Sequence, residues 1–120
     1  MRDATRGGLA TVLTELAENR PFGVEVNESA IPVNDTTRGL CELLGYDPMY
    51  VANEGKLIAV VSNKDAEKIL LKMQSHPLGK ESCIIGEITS ENPSRVIMKT
   101  GIGSSRIVDM ISGEQLPRIC

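Results

Sequence analysis

Apolar residues in this chain fall in short blocks, and the blocks switch between two spacings. Leu9, Val12, Leu13 and Leu16 recur at the three- and four-residue steps of one helix face, whereas Leu57, Ile58, Ala59, Val60 and Val61 form an unbroken apolar run. Alternation of the two within a single domain's length points to a mixed α+β arrangement, a mixed sheet with helices packed on it.

The spacing predicts a helix over residues 5–18, with Asp3 and Thr5 as candidate N-caps and Arg20-Pro21 closing it. A short strand follows over 22–26 and an extended piece over 30–33. A second helix is expected over 35–44, capped by Asn34 or Asp35, stopped by Gly45 and turning Leu40, Leu43 and Leu44 inward. Asp47-Pro48 restarts the chain in a turn or short helix. The run over 57–62 reads as a strand buried on both faces. Asn63 caps a third helix over 64–75, with Ala66, Ile69, Leu70 and Met73 inward, and His76-Pro77-Leu78-Gly79 ends it. Strands over 83–88 and 95–99 are expected to pair through a turn at Glu91-Asn92-Pro93-Ser94. A turn at Gly101-Ile102-Gly103 leads to a last strand over 105–110, and 111–120 reads as a polar tail.

Composition narrows the core and the function classes. Aromatic residues make up 2% of the 120 residues, so the core must be aliphatic, with Met49, Met73, Met98 and Met110 as filler. A net charge of −3 and the lack of a clustered Lys/Arg excess give no nucleic-acid footprint. No apolar run reaches the ~18 residues that cross a bilayer, and Met1-Arg2-Asp3 is too polar to open a signal peptide. The expectation is a cytoplasmic protein without membrane partners. Three cysteines, Cys41, Cys83 and Cys120, with no CxxC pair and a lone His76, support neither a disulfide framework nor a metal site. Cys41 and Cys83 sit in apolar segments and read as core thiols.

Three segments have chemistry to offer. Asp3-Ala4-Thr5-Arg6-Gly7-Gly8 lies at a helix start, where free N–H groups favour anions; the glycines admit close approach and Arg6 adds a forked cation. Asp3 suits either Mg²⁺ or a cap, and the whole segment reads equally as a capped helix with a glycine-rich entry. Ala52-Asn53-Glu54-Gly55-Lys56 precedes the apolar run. Glu54 has the chemistry of a general base and Asn53 and Lys56 that of substrate-orienting groups, or the segment is a turn with solvated charges. Pro117-Arg118-Ile119-Cys120 ends the chain in a thiol, a nucleophile when ionised and accessible, or an inert surface group. His76 belongs to a helix-ending turn, and the loop from Gly101 to Arg106 reads better as a hairpin than as a second anion site.

Taken in order, Asp3-Ala4-Thr5-Arg6-Gly7-Gly8, Cys41-Glu42-Leu43-Leu44-Gly45, Ala52-Asn53-Glu54-Gly55-Lys56, Ser75-His76-Pro77-Leu78-Gly79 and Pro117-Arg118-Ile119-Cys120 resemble the C-terminal half of the hydrogenase-maturation carbamoyl dehydratases, the HypE family. The first segment also resembles the wider superfamily of aminoimidazole ribonucleotide synthetase and selenophosphate synthetase, whose C-terminal domain supplies the expected fold. The resemblance implies a domain over 1–112 and a flexible tail over 113–120 whose Cys120 carries the reacting group. It implies an N-terminal ATP-binding domain, absent from this sequence, that holds most of the ATP and Mg²⁺ and the homodimer contacts. It implies a HypF-like carbamoyltransferase that loads Cys120, and a HypC–HypD scaffold that takes the cyano group for [NiFe]-hydrogenase. Glu54 becomes the implied base beside Cys120 as carrier, and Asp3, Thr5, Arg6, Gly7 and Gly8 the implied nucleotide-binding residues. A carrier module without catalysis of its own, and the matching domain of a superfamily synthetase, are the alternatives.

Overall fold

The structure is a computed structural model that describes residues 2–4 and 7–109, the side chains of 2–4, 53 and 54 excepted. The described residues form β1 (Arg2–Ala4), α1 (Gly8–Ala17), β2 (Gly23–Asn27), α2 (Asp35–Leu44), β3 (Asn53–Ile58), α3 (Ala66–Gln74), β4 (Gly86–Thr89), β5 (Val96–Lys99) and β6 (Ser105–Val108). Four strands make a mixed sheet in the order β4-β2-β5-β6, with β2 antiparallel to β4 and parallel to β5, and β5 antiparallel to β6. β1 and β3 form a separate antiparallel pair. This is the expected α+β class.

Alternation along the strands decides which face is covered. Val24 and Val26 of β2, Val96 and Met98 of β5 and Val108 of β6 are buried on one face. Ala10, Leu13 and Ala17, at helical steps on α1, are 0%, 3% and 0% exposed and share their cluster. The two alanines carry no bulk beyond Cβ, so α1 can lie close to the sheet. The opposite face is wetter, and there Lys99 bridges to Glu25 at 2.8 Å.

The predicted pairing of the strands around β4 and β5 is corrected. They do not pair; β2 lies between them. Adjacent pairing of consecutive strands is a majority tendency only. Here the β4–β5 connection arches over the start of β2, fastened by Ser94 N to Phe22 O at 2.9 Å and Ser94 Oγ to Arg20 O at 2.8 Å. Gly23 makes the crossing possible, since a Cβ there would stand 2.3 Å from Glu91 O.

Other expectations also change. Helix α1 starts at Gly8, with Gly7 as N-cap, instead of at residue 5; of the two candidate caps, Asp3 lies in the ladder with β3 and Thr5 lies outside the described residues. The strand read over 57–62 is β3, shifted to Asn53–Ile58, and it is not buried: Leu57 and Val60 are each 54% exposed. A two-stranded ribbon has no sheet on either side to bury such a run. Helix α2 has the expected bounds, with Asn34 Oδ1 accepting from Thr37 N at 2.7 Å and Gly45 as C-cap. Leu40, Leu43 and Leu44 are nevertheless exposed, and Cys41 is its buried residue. On α3, Ala66, Ile69, Leu70 and Met73 are only half-buried. Met49 and Met98 are core; Met110 lies outside the described residues. Cys83 is exposed instead of core, its Sγ donating to Ala30 O at 3.4 Å, and partial burial of the thiol pushes its pKa up.

Candidate functional site

The β1–β3 ribbon brings together two segments that stand some fifty residues apart in sequence. Asp3 pairs with Leu57, and Ala4 pairs with Asn53. One step along β1 therefore corresponds to four along β3, and Glu54, Gly55 and Lys56 have no partners on β1. Such a bulge re-aims the chain, and bulges are frequent beside active sites. Gly55 has φ 78°, a conformation that L side chains rarely adopt. Lys56 is exposed on the same bulge.

From β1 the chain passes to α1. Its N-cap is Gly7 (φ 69°, ψ 5°), followed by Gly8, also at positive φ (67°). Gly7 has no side chain with which to cap, and the first turn holds no acidic residue. The first turn of α1 thus supplies no carboxylate of its own to the helix's positive end, an arrangement that suits a phosphate. A Cβ on Gly8 would stand 2.6 Å from Val51 O and 2.7 Å from Met49 O, so α1 begins against the 3-10 turn Pro48–Tyr50.

That turn is tightly built. Asp47 Oδ1 accepts from Met49 N at 2.9 Å and Asp47 O from Tyr50 N at 3.0 Å. Met49 drops into the core at 5% exposure. The turn also reaches the end of β6. Arg106 forms an ion pair with Asp47 Oδ2, and Tyr50 Oη donates to Asp109 O at 2.6 Å. The helix start and the point where the chain leaves β6 are therefore both gathered around Pro48–Tyr50, and β3 begins three residues after that turn.

Of the residues singled out in the sequence, Gly7, Gly8 and Lys56 are placed in full, and Asp3, Asn53 and Glu54 by their backbone. Thr5, Arg6 and Cys120 lie outside the described residues. The sequence marked Asp47 only as a turn residue and Arg106 only as the end of a hairpin loop, and gave Tyr50 no role; the one signal was that Tyr50 is a rare aromatic in this chain. His76 has a structural job, its Nδ1 accepting from Leu78 N at 3.1 Å. The loop at Gly101 is the expected hairpin, and its Gly101 N donates to Glu28 Oε2 at 3.1 Å, a carboxylate already in place of a foreign anion. Among the described residues there is no group of three or more His, Cys, Asp or Glu able to hold a metal ion. Nor is any helix among them long and apolar enough to cross a membrane.

Residues 1–99 match the family described as AIR synthase related protein, C-terminal domain. The chain belongs to that family. Within the family, its kinship with the HypE proteins extends over the whole chain. It is 52% identical over 120 residues to a protein named carbamoyl dehydratase HypE from Azotobacter vinelandii, covering 100% of this chain and 35% of that protein. The solved structure of hydrogenase maturation protein HypE in complex with ATP matches with a TM-score of 0.89 at 41% identity, over 99% of this chain and 37% of the other. A HypE–HypF complex matches with a TM-score of 0.85 at 42% identity, over 92% of this chain and 35% of the other. The chain spans about a third of the length of the curated relatives it matches. As an AIR synthase related C-terminal domain, it has the fold that its resemblance implied.

Proposed function

We propose that this chain is the C-terminal domain of an ATP-dependent carbamoyl dehydratase that makes a thiocyanate on its own terminal cysteine, for the cyanide ligands of [NiFe]-hydrogenase. The observation that carries this reading is the 52% identity over 120 residues to a protein named carbamoyl dehydratase HypE. The HypE structure with ATP supports the co-substrate, and the HypE–HypF complex supports a HypF-like carbamoyltransferase as partner. Residues 1–112 are the domain and 113–120 the carrier segment, and delivery is to a HypC–HypD scaffold.

The chemistry follows from the carbamoyl group on Sγ of Cys120. An amide oxygen leaves poorly. Transfer of the terminal phosphoryl group of ATP to that oxygen, releasing ADP, turns it into a good leaving group. Both N–H protons must also depart, and a positioned base is needed to take them. Loss of phosphate with its C–O bond then leaves S–C≡N. Glu54, on the β3 bulge, is the candidate base, with Asn53 and Lys56 orienting the amide. The uncapped start of α1 at Gly7 and Gly8, with Thr5 and Arg6, is the candidate contact for phosphate. Asp3 is the carboxylate this segment offers to Mg²⁺, most of whose binding is assigned to a domain outside this chain.

The test is the intact mass of the chain after incubation with carbamoyltransferase, carbamoyl phosphate and ATP, then after addition of the N-terminal domain. The expected result is a carbamoyl adduct at Cys120 that loses water only after the addition. If full-length relatives are modified under the same conditions and Glu54→Gln leaves water loss intact, Glu54 is not the base. If neither form gains an adduct at Cys120, the dehydratase reading is overturned.

A further inference from the structure

Asp109 is the last described residue, and its carbonyl accepts a hydrogen bond from Tyr50 Oη at 2.6 Å across 59 positions of sequence. Strand β6 needs such a tie. It is an edge strand among the described residues, paired on one side only, and of its residues only Val108 is buried. Arg106 supplies a second tie through Asp47, at the other end of the same short turn. The turn itself cannot drift, because Met49 is locked in the core and the carbonyls of Met49 and Val51 lie against Gly8. Tyr50 is half-buried, packed beside that core.

We propose that Tyr50, supported by the Arg106–Asp47 pair, is a positioning residue: it fixes the point from which the C-terminal segment departs, at a set distance from the start of α1. This rests on the dehydratase reading, in which Cys120 must return to its own active site. Eleven residues follow Asp109, so Cys120 can reach no farther than ~40 Å from that carbonyl. Within that sphere the reaction is intramolecular, and its rate depends on the effective concentration that the anchor sets. Tyr50 touches neither nucleotide nor amide in this scheme; it acts only through where the tail begins.

The experiment uses the full-length protein and compares two substrates. One is its own carbamoylated Cys120. The other is a carbamoylated peptide with the sequence of residues 113–120, offered to a Cys120→Ala form. Tyr50→Phe removes the hydroxyl alone. It is expected to slow ATP-dependent water loss from the tethered thiol about two- to tenfold, the range for one hydrogen bond, with no change on the free peptide and no change in KM for ATP. An unchanged tethered rate, or an equal fall on both substrates, overturns the proposal. Backbone hydrogen exchange separates its failure from that of the dehydratase reading. If wild-type protein loses no water at all, that reading fails and exchange alone decides the anchor. Faster exchange over 105–109 in Tyr50→Phe, with β5 unchanged, supports it, and unchanged exchange overturns it.

Discussion

Met98 and Val96 are each 1% exposed, and they sit on β5 between the strands β2 and β6. Truncating a side chain there leaves a cavity that the rigid neighbours on β2 and α1 cannot fill. Met98→Ala is expected to cost about 2–5 kcal/mol, read as a lowered urea midpoint with unchanged slope. Two glycines behave oppositely. Gly8 has φ 67°, and a methyl group added to it would stand 2.6 and 2.7 Å from two carbonyl oxygens, so Gly8→Ala must displace the Pro48–Tyr50 turn. Gly39 lies inside α2 with nothing within 4 Å of its missing Cβ. Gly39→Ala is expected to raise stability by about 0.5–1 kcal/mol, since alanine loses less backbone entropy on entering a helix. The sequence marks Gly8 as a place of close approach, but only the structure shows which backbone it meets and that Gly39 faces open space.

At the scale of elements, α2 shows how far local signals reach. Asn34 and Gly45 are legible as cap and stop because capping is a matter of a few neighbouring residues, and both act as read. Asn34→Ala is expected to cost about 1 kcal/mol, seen as a lower melting temperature. Which face of α2 is covered was not legible: the pattern of Leu40, Leu43 and Leu44 marks an apolar stripe, but no described residue covers it. The sheet's wet face gives a pH-dependent test. The hydrogen bond from Lys99 to Glu25, and the charge of Glu25, hold the Lys99 pKa above its ordinary 10.5, with Glu87 and Glu91 adding to the effect. A raised folded-state pKa stabilises fully below the unfolded value and loses that contribution as pH rises through the folded one. The stability difference between wild type and Lys99→Met should therefore be constant from neutral pH up to about 10.5 and shrink above it, measured by chemical denaturation across the alkaline range.

For the whole molecule, the proposed reaction needs a thiol, a base and an ATP site, and the proposal assigns most of the ATP site to an N-terminal domain outside this chain. The isolated chain is expected to fold and yet to lose no water from a carbamoylated Cys120, which intact mass with and without the N-terminal domain will check. Legible from residues alone were the α+β class, most element positions, the aliphatic core, and the short motifs at Gly7-Gly8 and Asn53-Glu54 that carry the family resemblance. These depend on spacing, capping and residue type, which act over a few positions. Three features came only with the fold: β2 inserts between β4 and β5, Asp3 and Ala4 pair with Leu57 and Asn53 in one bulged ribbon, and Tyr50 meets Asp109. Each of those is a contact between distant segments. It is set by which apolar faces find one another and by where a glycine such as Gly23 lets one backbone cross another, and no local pattern encodes it.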